Sequence, residues 1–537
     1  MSHKSRPYQV TAVANVIEAF QAHTSAMVVM PTASGKSIVT TELVNYFRPK
    51  RSLILAHRGE LLFQAARHVQ RTGLETSIEK AELYASTSLF SQSPVVVASV
   101  PTLVSKMGNG KRMEKFKPTD FGLIVCEENH HFVAKSFRSI LDYFKKGNPN
   151  IKIFGSTATP DRSDEEALGQ VFEVCAFRYD ILDAIQDGWL VPVYTLGLRV
   201  EGMDFSHIRT TAGELNSADL AAVMEAEKPL YGIAQGALEA AYYLEPNALH
   251  GVPVEQWSQH LIDLQTPPRS TLCFTVSVRH SEMLSDIFNR VVPGIAGWIC
   301  GETREAERLD INNRFKNGDL PILCNCGTHT EGVDVPRAEV IVPKPTKSRS
   351  LLTQMIGRGF RPAEAGGRSI VDQYGTAEER RAAIQSSRKP RCLVLDNYGV
   401  CGRHKLVTPA DILGGKFSEE VVKLAVEKAR EKCQPVNMTE EMIEAEEELR
   451  KKLEEGRRRL AARRSRLVGK IKFNVREVNL FDIGDMAAMK TVQRQTGKPL
   501  SEKQRAVITA MGKDPDRIPI GYAKKLIGER FKQWRKK

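Results

Sequence analysis

Two short stretches carry residue types that could do phosphate chemistry. The first is "MPTASGKS" at 30–37. An apolar run precedes it and a helical pattern follows, so the loop offers backbone N–H groups at a helix N-terminus to phosphate oxygens. Thr32, Ala33, Ser34 and Gly35 would line the phosphates, Lys36 would reach the β/γ end, and Ser37 would ligate Mg²⁺. Met30 stands where that pattern usually begins with glycine. The second stretch is "LIVCEENHHF" at 123–132, an apolar run that ends in Glu127 and Glu128. Adjacent carboxylates at the end of a buried run need compensation. A metal ion and a lysine would supply it, with Glu127 holding Mg²⁺ and Glu128 activating the attacking water. The plain alternative is an acidic loop.

Placing these groups requires strands that end side by side. "AMVVM", "SLILA", "VVVAS", "FGLIV" and "IKIFG" between 26 and 155 are short, apolar and not alternating, as in a parallel sheet covered on both faces. Helix-like segments lie between them. A second such block has "TLCFTV", "GWIC", "LPILCN", "AEVIVP" and "PRCLVLDNYG" between 271 and 399. The expected order is a first α/β lobe at 1–185, a connector and helical segment at 186–260, and a second α/β lobe at 261–415. A charged helical linker at 416–474 and a small basic module at 475–537 follow. The stretch 364–389 reads as a polar insertion in the second lobe.

The charge is uneven. Residues 451–537 hold 25 Lys+Arg and 9 Asp+Glu, a net of +16. The whole chain is +13, so residues 1–450 carry 13 − 16 = −3. Such a basic end is either a solvated helical face or a polyanion-binding element. No apolar run is long enough to span a bilayer. The nine cysteines form no CxxC pair, which argues against a zinc ribbon or disulfide framework and favours a reducing compartment.

Across residues 5–415 the chain resembles the superfamily 2 helicases, with the family's motifs in family order. "EENH" at 127–130 is similar to a DEAH/DECH box with its Asp replaced by Glu. "RPYQ" at 6–9 resembles the adenine-reading motif, "LAHRGELLFQ" (55–64) and "SVPTL" (99–103) the strand-binding motifs, and "GSTATP" (155–160) the coupling motif. The resemblance implies two tandem RecA-like lobes, ATP and Mg²⁺. It implies that Gln9 binds the base, that Arg58 and Thr102 meet a nucleic-acid strand, and that His130, Ser156 and Thr157 couple hydrolysis to movement. Ser156 and Thr157 could instead cap a helix.

"QMIGRGFR" at 354–361 resembles the second lobe's QxxGRxxR motif, which implies that Gln354, Arg358 and Arg361 act at the γ-phosphate. The two arginines would share a helix face if the segment is helical. "TEGVDVP" at 330–336 resembles the motif contacting both ligands, with Gly332 and Asp334 on the nucleotide and Thr330 on the strand. Thr303 of "GETREAER" could cap a helix or touch a phosphate. The nearest resemblance is to the RadD-like and XPB-like branch with phage and mitochondrial relatives. It implies an ATP-dependent DNA helicase or translocase, monomeric, on single-stranded or branched DNA, with RNA the alternative partner. A second alternative is a nucleotide-gated binder without hydrolysis. The expected location is cytoplasmic, with no membrane partner. The terminal arginines 457–459, 463, 464 and 466, with Phe531 and Trp534, would add sequence-independent affinity.

Overall fold

The apolar runs form two seven-stranded sheets. In this computed structural model the described residues are 5–56, 59–81, 83–85, 93–127, 135–158, 171–211, 213–262, 267–327, 337–400, 406–413, 417–432, 434–466, 500–513, 515, 523–524 and 526–528. The first lobe has β1 (Ser25–Val29), β2 (Arg51–Ala56), β3 (Thr76–Glu79), β4 (Val95–Ser99), β5 (Phe121–Glu127), β6 (Lys152–Thr157) and β7 (Val174–Arg178). Their order across the sheet is β3-β4-β2-β5-β6-β1-β7, all parallel. β1, β2 and β4 are buried at every position, as the unbroken apolar runs require. Helices α1 (Pro7–Ala22) and α2 (Lys36–Tyr46) bracket β1 in the chain.

The second lobe has β8 (Val193–Asp204), β9 (Thr271–Phe274), β10 (Ala296–Cys300), β11 (Ile322–Cys326), β12 (Val340–Val342), β13 (Cys392–Val400) and β14 (Val436–Asn437). The order is β10-β11-β9-β12-β13-β8-β14. Only the β8–β14 pair is antiparallel. Residues 186–260 therefore do more than connect: β8 is the longest strand of this sheet and runs along β13. Its buried positions are broken by exposed and half-buried ones, so it forms no unbroken apolar run in a stretch expected as connector and helices. Helix α3 (Glu227–Ala241) packs on it through Gly232 and Gly236, whose missing side chains admit Val200 and Leu198. β14 comes from the segment expected as a linker.

The lobes share an apolar cluster that includes Tyr8, Tyr179, Ile181, Trp189, Leu190, Val191 and Phe360. Helix α4 (Arg349–Gly357) ends the second lobe's approach to the first, and α5 (Ala377–Gln385) lies in the polar insertion. The Thr376–Glu379 capping box starts α5. Helix α6 (Met438–Arg466) continues unbroken through Gly456. Residues 454–537 form a separate unit, in which Ile508, Ala523 and Ile527 make a small core. No helix of the described residues is long and apolar enough to cross a membrane.

Candidate nucleotide site between the lobes

The loop between β1 and α2 is held in a turn that few side chains tolerate. Ala33 and Gly35 both have positive φ, 70° and 80°. Ser34 closes the turn, its N–H and hydroxyl both donating to Pro31 O at 3.3 and 2.7 Å. The Ser34 carbonyl then accepts from Tyr8 Oη (2.7 Å) and Gln9 Nε2 (2.9 Å). Gln9 Oε1 accepts from the Arg6 N–H at 2.8 Å. So Gln9, 1 % exposed, both starts α1 and anchors the phosphate loop. The base-reading role implied for it thus shares the side chain with a structural one. Tyr8 stacks on Tyr179 with ring centroids 4.6 Å apart, and burial raises its pKa, so it stays a donor.

Lys36 Nζ donates to the Met30 carbonyl at 3.4 Å, folding back over the loop it follows. The Ser37 hydroxyl makes no hydrogen bond with a described residue, although Ser37 O accepts from Thr41. A hydroxyl so placed at the start of α2 suits a metal ligand, and the loop's positive-φ residues leave its backbone open to phosphate.

Sheet register brings the other motifs to this loop. Glu127 ends β5 opposite Ser156 of β6, and Ser156 and Thr157 pair with Val28 and Val29 of β1. The Met30 N–H donates to Thr157 O at 2.9 Å, tying the coupling motif to the phosphate loop. Ser156 and Thr157 are strand residues, each 2 % exposed. Glu127 is described through its backbone; Arg58, Glu128, His130, Thr330, Gly332 and Asp334 lie outside the described residues.

The second lobe arrives through α4. Gln354 is buried within it. Gly357, its last residue, touches Thr32: a β-carbon there would lie 2.6 Å from Thr32 Cβ. The two motif arginines do not share a helix face. Arg358 is the helix C-cap and Arg361 lies beyond it. Pro362 disfavours helical backbone at Arg361, so the helix cannot extend to it. Arg361 is close enough to Lys389 to lower its pKa.

Several positions had no motif to announce them. Arg6 donates from Nε and Nη2 to Asp372 Oδ1 at 3.0 and 2.8 Å, joining the first lobe to the polar insertion. The Trp189 ring lies within cation–π reach of the guanidiniums of both Arg6 (4.7 Å) and Arg380 (4.0 Å). Arg380 Nε also donates to Asp187 O at 2.7 Å. Near the strand-binding motif, buried Glu79 pairs with Arg112 and, at 2.6 Å, with Lys115. Arg112 Nη2 reaches Leu83 O at 2.8 Å, and the Ala81 N–H donates to Thr102 Oγ1 at 3.3 Å. Partners hundreds of residues apart, as Arg6 and Asp372 are, leave no local spacing to read. Thr303 accepts from Cys300 N–H at 3.0 Å and closes a turn, while Arg304 is the N-cap of the following helix.

Two family models match the chain: the type III restriction enzyme res subunit over residues 2–162, and the helicase conserved C-terminal domain over 254–363. A Saccharomyces cerevisiae protein named ATP-dependent helicase IRC3 is 32% identical over 66% of this chain and 49% of its own length. A Schizosaccharomyces pombe protein named as a mitochondrial ATP-dependent helicase is 30% identical over 67% of this chain and 55% of its own length. The DNA 3'-5' helicase XPB of Mycobacterium tuberculosis is 25% identical over 73% of this chain and 64% of its own length. The chain thus spans about half the length of the two yeast relatives.

Proposed function

Because the chain belongs to the superfamily 2 helicases, with relatives in the XPB-like branch, we propose that it is an ATP-dependent DNA helicase or translocase. The observation that carries this reading is the meeting of Gly357 with Thr32, which sets the second lobe's QxxGR segment on the phosphate loop. A γ-phosphate bound there is shared by both lobes, and its loss removes the contact that favours closure.

In this reading Lys36 binds the β/γ-phosphates, Gln9, Gly332 and Asp334 hold the nucleotide, and Glu128 orients the attacking water. Gln354, Arg358 and Arg361 meet the γ-phosphate from the second lobe. Ser37 and Glu127 would hold Mg²⁺, which supplies charge neutralisation at the phosphates. His130, Ser156 and Thr157 couple the site to Arg58, Thr102 and Thr330, which grip single-stranded or branched DNA. The basic end of the chain strengthens that grip without reading sequence. The relatives are named as a DNA helicase in one case and as helicases with no stated strand in others, so DNA is the proposal and RNA the competing outcome.

The test is ATP turnover with single-stranded DNA, with RNA and with neither. Stimulation by DNA that Glu128→Gln abolishes is the expected result. Stimulation by RNA alone overturns the DNA reading, and unchanged turnover in Glu128→Gln overturns the catalytic assignment. Glu127→Asp is expected to keep turnover or raise it, since the shorter acid is the usual one at this position.

A further inference from the structure

The second lobe has a charged cavity at the end of its sheet where strands β8, β9, β12 and β13 begin, whereas "TEGVDVP" follows the C-terminal end of β11 in the chain. The cavity, about 140 Å³, is lined by Tyr194, Tyr243, Arg269, Glu339, Arg388 and Arg391, among others. Three guanidiniums thus face one carboxyl group. Lys389 is buried beside them, and burial lowers its pKa to about 8.

The three guanidiniums form no ion pair with a described residue. Arg269 lies 3.7 Å over the Tyr243 ring and donates to Ala240 O at 3.0 Å. Arg391 lies 4.7 Å over Tyr194. Neither Arg388 nor Arg391 has a hydrogen bond to a described residue, and Glu339 makes no ion pair among the described residues. Burial raises the Glu339 pKa against the pull of Lys389, Arg269, Arg388 and Arg337. Packing on tyrosine rings fixes the planes of Arg269 and Arg391 while their N–H forks keep donors to spare, the arrangement that suits a planar or tetrahedral oxyanion. A cavity of about 140 Å³ has room for several waters, so a small oxyanion can enter it.

We propose that this cavity is a phosphoryl-binding site, distinct from the nucleotide site, in which Arg388 and Arg391 hold the oxygens and Arg269 adds charge. The phosphoryl group comes either from a small phosphorylated ligand or from a nucleic-acid backbone on the far side of the lobe.

The full chain carrying Lys36→Ala, which silences the phosphate loop, is titrated with inorganic phosphate and followed by thermal melting. A stabilisation that disappears on adding Arg388→Gln and Arg391→Gln supports the site and a small-ligand source. The same pair in the otherwise unaltered chain is assayed for DNA binding against salt. A log–log slope shallower by about 2, as two lost phosphate contacts require, supports the site and a backbone source. ATP turnover without nucleic acid, unchanged in that pair, shows that the lobes still fold. Phosphate stabilisation and salt slope both indifferent to the two substitutions would overturn the proposal.

Discussion

Gly357, at the end of α4, sits so close to Thr32 in the phosphate loop that an added methyl group would fall 2.6 Å from the Thr32 β-carbon and 3.1 Å from its hydroxyl. The absence of a side chain there is what lets the second lobe reach the loop. Gly357→Ala should therefore hold the lobes apart. Helix propensity alone favours alanine by about 1 kcal/mol. The expected outcome is a melting temperature that is unchanged or higher, with kcat down at least about tenfold, equivalent to ~1.4 kcal/mol of barrier. Steady-state turnover beside thermal melting checks it; normal kcat would mean the contact is absent during hydrolysis.

Gln9 spends both ends of its amide on the protein, one on Arg6 N–H and one on Ser34 O. Gln9→Glu keeps the acceptor for Arg6 but loses the donor to Ser34. It should weaken nucleotide binding while leaving α1 intact. Gln9→Ala loses both, and should also cost about 1–2 kcal/mol of stability. Nucleotide titration and urea unfolding of the two variants separate the anchor from the cap. Equal stability losses would show that the cap contributes nothing.

Glu79 is fully buried against Arg112 and Lys115, whose side chains are 8 % and 14 % exposed. Glu79→Gln leaves two cations facing a neutral amide, and should destabilise the first lobe by about 3–5 kcal/mol. Replacing Glu79 and Arg112 together with leucine should cost less than the two single changes added. Denaturant unfolding of the three variants tests this. Additive losses would mean that the pair is not coupled.

His280 is 1 % exposed and accepts a long hydrogen bond, 3.4 Å, from Val276 N–H. Burial lowers its pKa to about 4. An unfolded chain takes up that proton near pH 6.5. Stability is therefore complete above pH 6.5 and falls as the pH drops from 6.5 towards 4. At pH 5 the loss from this residue should be about 2 kcal/mol. His280→Leu should remove that slope, as read from urea midpoints at pH 7 and pH 5. An identical slope in the variant would show that other groups cause the acid loss.

The parallel strands were legible because burial on both faces writes them as unbroken apolar runs. β2 and β4 occupy Arg51–Ala56 and Val95–Ser99, where "SLILA" and "VVVAS" stand. β8 was read only as part of a connector because exposed positions break up its buried ones, so it forms no unbroken apolar run. Lys36, Ser37 and Gln354 could be named as candidates because a helix or loop fixes their spacing. Arg6 and Asp372 could not, since folding alone makes them neighbours. The shared helix face for the arginine pair was conditional on a helical segment, and the condition is not met, because the helix stops at Gly357 while Pro362 keeps Arg361 out of it. The roles of Gln9 and Thr102 as internal acceptors were hidden because their partners, Arg6 N–H and Ala81 N–H, are backbone groups with no residue signature.

Trp189 occupies a position with an optical consequence. Its indole is in cation–π contact with both Arg6 and Arg380, one guanidinium from each lobe. Any parting of the lobes must withdraw one of those charges and change the field across the ring. The chain has four tryptophans, and Trp257, Trp298 and Trp534 can each be replaced by phenylalanine to leave Trp189 as the sole emitter. The chain thus carries a fluorophore where the lobes meet, and its emission would report a change in their contact without an attached dye.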